Sequence, residues 1–181
     1  MQGEYDWVLV ALSYGVSVLG AVTALQLAID IPLARGPGRR LAAVLASALA
    51  MGGGGIWAMH FIAMLACRMP MPVAYDIGLT LLSALIAVAA CALGLAWAGL
   101  GEFRQRRVVP AGLFMGLGVA GMHYTGMAAM LMPATIHYDP WLVAASVVIA
   151  VVASMAALWT AFTLRGGWRM VGAAVIMGVA V

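Results

Sequence analysis

"AGMHYTGMAAM", residues 120–130, closes an apolar run that extends from about 108 to 131. A hydrocarbon core about 30 Å thick takes roughly 20 apolar residues as a helix. This run is long enough, yet it carries a histidine and a tyrosine between methionines. An ionisable side chain inside a membrane span is costly, so function is its default reading. Two things decide the matter: whether the run spans a bilayer, and whether its pattern recurs.

Composition answers the first. Of 181 residues, 66% are hydrophobic and 8% charged, against roughly 25% charged in soluble domains. Apolar runs of spanning length also cover about 7–29, 41–66, 76–100 and 141–164, and a sixth begins near Met170 and is still running at Val181. The expectation is an all-α, polytopic transmembrane helix bundle, a single domain over 1–181 whose sequence stops inside a helix as a fragment would. The N-terminus, "MQGEYDW", is acidic and lacks the basic start of a signal peptide.

The loops give the orientation. All nine basic residues are arginine, and eight lie in "ARGPGRR" (34–40), "GEFRQRR" (101–107) and "RGGWR" (165–169). The opposite ends hold only Arg68, with Glu4, Asp6, Asp76 and Asp139. Basic loops stay in the cytoplasm, so the N-terminus is expected outside. Trp7, Trp57, Trp141, Tyr5, Tyr75 and Tyr138 then fall near the outer interface, and Trp97, Trp159 and Trp168 near the inner one. The net charge of +3 is spread over short loops, which argues for the lipid bilayer as partner and against nucleic acid. Cys67 is placed at a surface and Cys91 about 22 Å along the next helix, too far apart for a disulfide.

The pattern does recur. "YDWVLVALS" (5–13), "YDIGLTLLS" (75–83) and "YDPWLVAAS" (138–146) each open an inward helix with Tyr-Asp and place serine eight residues on. "GGGGIWAMHFIAM" (52–64) aligns with "MGLGVAGMHYTGM" (115–127), and "MGVAV" (177–181) starts a third return. The repeats run about 5–67, 75–131 and 138–181, and the next Met-His pair would fall four residues past Val181.

In this register Met59, His60 and Met64 match Met122, His123 and Met127, with the histidine and the later methionine four apart on one helix face. His60 stands about 28 Å from Arg40 and His123 about 23 Å from its own arginines, both in the outer half of the membrane. Thioether with imidazole suits Cu(I), and imidazole also suits other transition metals. Cys67, Met69, Met71 and Met130 are possible accessory donors. Packing offers another account: methionine fills apolar helix cores, glycine lets helices approach, and a membrane histidine can simply hydrogen-bond across helices. Asp6, Asp76 and Asp139 start helices, where an acid caps and meets the helix dipole; orienting a histidine ligand is the alternative. Ser13, Ser83 and Ser146 are expected at helix contacts, and His137 at the surface. No catalytic constellation appears, so an enzyme is not expected within this chain.

With "WAMHFIAM" (57–64) and "GMHYTGMAAM" (121–130) on the page, the chain resembles the MHYT family of bacterial integral membrane sensor domains over its whole length. The resemblance implies seven helices in the full domain, three motifs near the outer face of the inner membrane, and copper bound through Met, His and Tyr. It also implies a diatomic gas as the signal (oxygen, carbon monoxide or nitric oxide) or redox state, and a cytoplasmic signalling domain such as a cyclic-di-GMP enzyme. By position the ligands would be Met59, His60 and Met64, then Met122, His123, Tyr124 and Met127. The first copy departs from the pattern with Phe61 where the second has Tyr124, and the third motif is absent. Haem held by His60 and His123 is an alternative cofactor. A copper transporter or chaperone is the rival from another class, but no ionisable residue continues inward from the histidines.

Overall fold

The computed structural model describes residues 4–68, 71–99, 105–133, 137–163, 171–172 and 174–175. Within them five helices are long and apolar enough to cross a membrane, in the order expected. The first crossing, Trp7–Leu33, is α1 (Trp7–Ala28) followed by the single turn α2 (Asp30–Leu33). Asp6 caps α1, its Oδ1 accepting from Val8 N at 3.0 Å and Leu9 N at 3.3 Å. At the far end of this crossing Gly36 takes φ 92°, a left-handed turn favouring glycine. Pro37 then opens α3 (Pro37–Ala48) at a position where its missing N–H costs nothing. The second crossing therefore starts about four residues earlier than its apolar run, taking Arg39 and Arg40 into its first turn. It continues without a break through a π-helical segment, Leu49–Ala58, into α4 (Met59–Ala66). The hydropathy pattern had not indicated that segment.

α5 (Ile77–Gly99), α6 (Gln105–Ala128) and α7 (Pro140–Thr163) complete the described crossings. Asp76 Oδ1 accepts from Leu79 N at 2.8 Å and Asp139 Oδ1 from Trp141 N at 2.8 Å. All three aspartates thus act as helix starts. Most of the third return, residues 176–181 included, lies outside the described residues, as do Trp168, the loop 165–169 and most of the loop 101–107.

Each of the first two repeats is fastened at the end opposite its arginine loop. β1 (Glu4–Tyr5) pairs antiparallel with β2 (Cys67–Arg68), and β3 (Ala74–Tyr75) with β4 (Met130–Leu131). One further bond closes each clasp: Asp6 N donates to Ala66 O, and Asp76 N to Ala129 O, both at 2.8 Å. The first clasp adds an ion pair, Arg68 to Asp6 at 2.8 Å. That hydrogen bond from Arg68 is the main cause holding the Asp6 carboxyl below its ordinary value of 3.8. In the second clasp burial raises the Tyr75 phenol, with Cys67 of the first adding to the shift.

The second crossing packs between α1 and α5, α6 packs between α5 and α7, and α1 also touches α7. Contact is made through small residues. A Cβ on Gly20 would strike the backbone of Gly55, and one on Gly118 would strike the Ala90 side chain. These pairs occupy matching places in the two repeats, so each return helix crosses its own inward helix at the same point. Ala24, Ala28, Ala87, Ala98, Ser47 and Ser83 fill the interior. Large apolar side chains such as Leu19, Leu85, Leu142 and Val152 point outward. A bundle with small residues inside and large apolar ones outside is built for lipid, where packing rather than the hydrophobic effect joins helices. Tyr5, Trp7, Tyr138 and Trp141 are exposed at the clasped end. Trp57 is not part of that belt; its Nε1 donates inward to Ser83 Oγ at 3.0 Å.

Candidate functional site

The two histidines meet. His60 on α4 and His123 on α6 face each other with ring centroids 4.8 Å apart at 61°. The repeat explains this: each stands at the same height on a return helix, and α5 holds the two return helices side by side. Nε2 of His60 is buried and, among the described residues, is the buried side-chain polar atom without a hydrogen-bond partner. An unpaired buried polar group of this kind costs about 1–3 kcal/mol, so its persistence calls for a partner. Opposite it lies Gly126, where a Cβ would come within 3.0 Å of that nitrogen. The missing side chain leaves the imidazole edge its room.

Both histidines line a cavity of about 290 Å³ between the π segment, α4, α6 and α7. Met59, Met122 and Tyr124 stand in the same wall, and so does Met51, which the sequence had not singled out. Tyr124 and Ser146 hydroxyls are 2.7 Å apart. Ser146 Oγ donates to Val143 O at 2.8 Å, which leaves Tyr124 as donor to Ser146. The corresponding serine of the previous helix, Ser83, takes Trp57 Nε1 instead, because Phe61 has no hydroxyl to offer. Ser13 bonds only to Val10 O among the described contacts.

Rings continue outward from the pair in both repeats. Phe61 packs on Tyr75 at 5.8 Å, and Tyr124 on Tyr138 at 5.6 Å. These contacts sit 63 residues apart in sequence, so the two halves share side-chain geometry as well as topology.

Of the proposed ligands, Met59, His60, Met122, His123 and Tyr124 share the cavity wall. Met64 and Met127 are half-buried one turn further out and outside that wall, as are Met130, Met71 and Cys67. Met69 lies outside the described residues. Cys67 and Cys91 are both free, Cys91 fully buried, and His137 is exposed. The aspartates cap helices, and none lines the cavity. α7 went unread as a wall of the site, although Ser146, Ala150, Ala153 and Ala157 keep helical spacing on one face. Among the described residues no group of three or more His, Cys, Asp or Glu could hold a metal. A metal here would therefore rest on the two imidazoles with thioether or phenol donors.

Clasped helical hairpins repeated through a bilayer, with paired histidines between their return helices, define a multi-pass membrane domain with an intramembrane site. The chain belongs to the MHYT family: the family model described as "Bacterial signalling protein N terminal repeat" matches residues 53–111 and 116–174. Each match begins in a return helix and runs on into the next inward helix. The chain is 48% identical over 183 residues to the bifunctional diguanylate cyclase/cyclic di-GMP phosphodiesterase MucR of Pseudomonas aeruginosa, covering 98% of this chain and 26% of that protein. It is 42% identical over 162 residues to the cyclic di-GMP phosphodiesterase NbdA of the same organism, covering 90% of this chain and 20% of that one. Signaling protein YkoW of Bacillus subtilis is 30% identical over 161 residues, covering 88% and 20%. The chain spans about a quarter or less of the length of these relatives. No solved structure matches it.

Proposed function

We propose that this chain is the sensory domain of a bacterial inner-membrane signalling protein. In this reading it binds copper between the two return helices and reports a diatomic gas or redox state to a cytoplasmic cyclic-di-GMP enzyme. The enzyme part of the proposal is supported by the names of MucR and NbdA. The observation that carries the site is the His60–His123 contact at 4.8 Å, with His60 Nε2 unpartnered beside Gly126. Orphaned nitrogen, space and soft donors fit a copper ion.

His60 and His123 would hold it, with the thioethers of Met59 and Met122 favouring the reduced ion. When bound, copper supplies one-electron redox chemistry and a coordination position for a small gas. The protein's own part is positional. The clasps fix the outer ends of the return helices, and Gly126 keeps the His60 edge free. The Tyr124–Ser146 bond holds the phenol beside His123, and the apolar wall excludes bulk water. The haem reading is less well served, since axial histidines stand on opposite faces of a macrocycle and these rings touch edge to face. A transport path is likewise less well served, because the cavity wall carries no charged side chain that could pass an ion inward.

Elemental analysis of the purified domain tests the proposal, with a His60→Ala, His123→Ala variant alongside. About one copper per chain, lost in the variant, is the expected result. Gas-dependent spectra of the loaded protein would follow from it. No metal in either would overturn the copper site.

A further inference from the structure

The cavity is far larger than an ion or a diatomic gas requires. A cavity of about 150 Å³ in an apolar protein core takes up benzene, and one water occupies about 30 Å³; this one measures about 290 Å³. Its wall bears no charged group and is mostly alanine, isoleucine, valine and methionine. A charged ligand would be desolvated there without compensation. The polar groups of the wall are few and convergent: the two imidazoles, the Tyr124–Ser146 pair and Ser154. Ile149 lines the cavity and is also 56% exposed on the bundle surface, so the wall reaches the lipid.

We infer that this cavity binds the head group of a membrane quinone, a neutral ring-sized molecule bearing hydrogen-bonding oxygens. The choice of class follows from the polar side of the wall, where the His123 imidazole stands with Tyr124, Ser146 and Ser154. A neutral imidazole nitrogen is either a donor or an acceptor according to tautomer. The His123 ring can therefore donate to a quinone carbonyl in one tautomer and accept from a quinol hydroxyl in the other. A hydrocarbon would leave the polar side of the wall unmatched, and a gas would leave most of the volume empty. The inference rests on the reading of the chain as a membrane sensor and shares its histidines, but it does not require the metal.

The test uses the 181-residue chain in lipid nanodiscs free of quinone, with and without copper. The probe is a decyl-substituted 1,4-benzoquinone, with decylbenzene as the control lacking oxygen. The expected result is saturable binding of about one quinone per chain, at least tenfold tighter than decylbenzene. An Ala153→Phe variant, which places a ring in the cavity away from the histidines, should weaken quinone binding at least tenfold. No saturable binding above empty nanodiscs would overturn the inference, and so would equal affinity for decylbenzene, a comparison that needs no variant. Unchanged quinone binding in a helical Ala153→Phe chain would overturn it too. Quinone failing in a chain that keeps its copper sinks this inference alone; copper failing in a chain that binds quinone sinks the metal reading alone.

Discussion

A methyl group at position 126 would sit 3.0 Å from His60 Nε2 and 3.2 Å from Cδ2, closer than most carbon contacts allow. Gly126→Ala should turn the imidazole and weaken copper binding at least tenfold, with helicity unchanged by circular dichroism. Tyr124→Phe is a gentler change, because the first repeat already carries Phe61 at the equivalent place. Losing the bond to Ser146 should cost about 0.5–1.5 kcal/mol in an unfolding titration, the range for hydrogen bonds between membrane helices. At the surface, Arg68 holds the Asp6 carboxyl below its ordinary value of 3.8. A lowered folded-state pKa means the clasp's contribution is present above that ordinary value and fades as pH falls through the folded one. Unfolding midpoints measured across that acid window should drop more steeply for the parent than for Arg68→Ala. The pairing of His60 with His123 was legible from repetition, since similar spacing from the arginine loops put them at similar depth. Gly126, Met51 and Ser146 were not. Their importance comes from what lies opposite, which no local pattern records.

At the level of the element, the crossings could be read because apolar length and loop charge are one-dimensional properties. The aspartate starts could be read for a similar reason, as capping is decided within three residues. The π segment escaped notice because its residues are as apolar as any helix; only the bonding partner shifts. Its four glycines, read as packing residues, divide in two. A Cβ on Gly52 would meet Ala87 O at 2.7 Å and Val88 Cα at 2.9 Å, whereas one on Gly54 would meet nothing within 4 Å. Gly52→Ala should therefore destabilise by about 1–3 kcal/mol, as overpacking against backbone does. Gly54→Ala should be neutral or mildly stabilising, alanine being the better helix former by about 1 kcal/mol. Unfolding titrations of the two variants check the contrast. If both behave alike, the close crossing at α5 is wrong.

For the whole molecule, the order of helices around the bundle was not in the sequence, although the repeat constrained it. Equivalent crossings at Gly55 on Gly20 and Gly118 on Ala90 show how one hairpin design is used twice. The orientation inferred from arginine placement gives a direct prediction for intact cells. Cysteine at Pro72, in the Cys67→Ala, Cys91→Ala background, should react with a membrane-impermeant maleimide, and cysteine at Gly38 should not. The reverse pattern would invert the domain.

The clasps at Asp6–Ala66 and Asp76–Ala129 also set the mechanics. Each hairpin is pinned at its clasped end, so that end is the fulcrum of any rigid tilt and the arginine end is the tip of the lever. A 24-residue helix such as α6 is about 36 Å long at 1.5 Å per residue. A rotation of about 3° beside the histidines would swing its inner end by about 2 Å on that length. A displacement too small to disturb packing at the site would thus arrive magnified at the arginine end of the bundle.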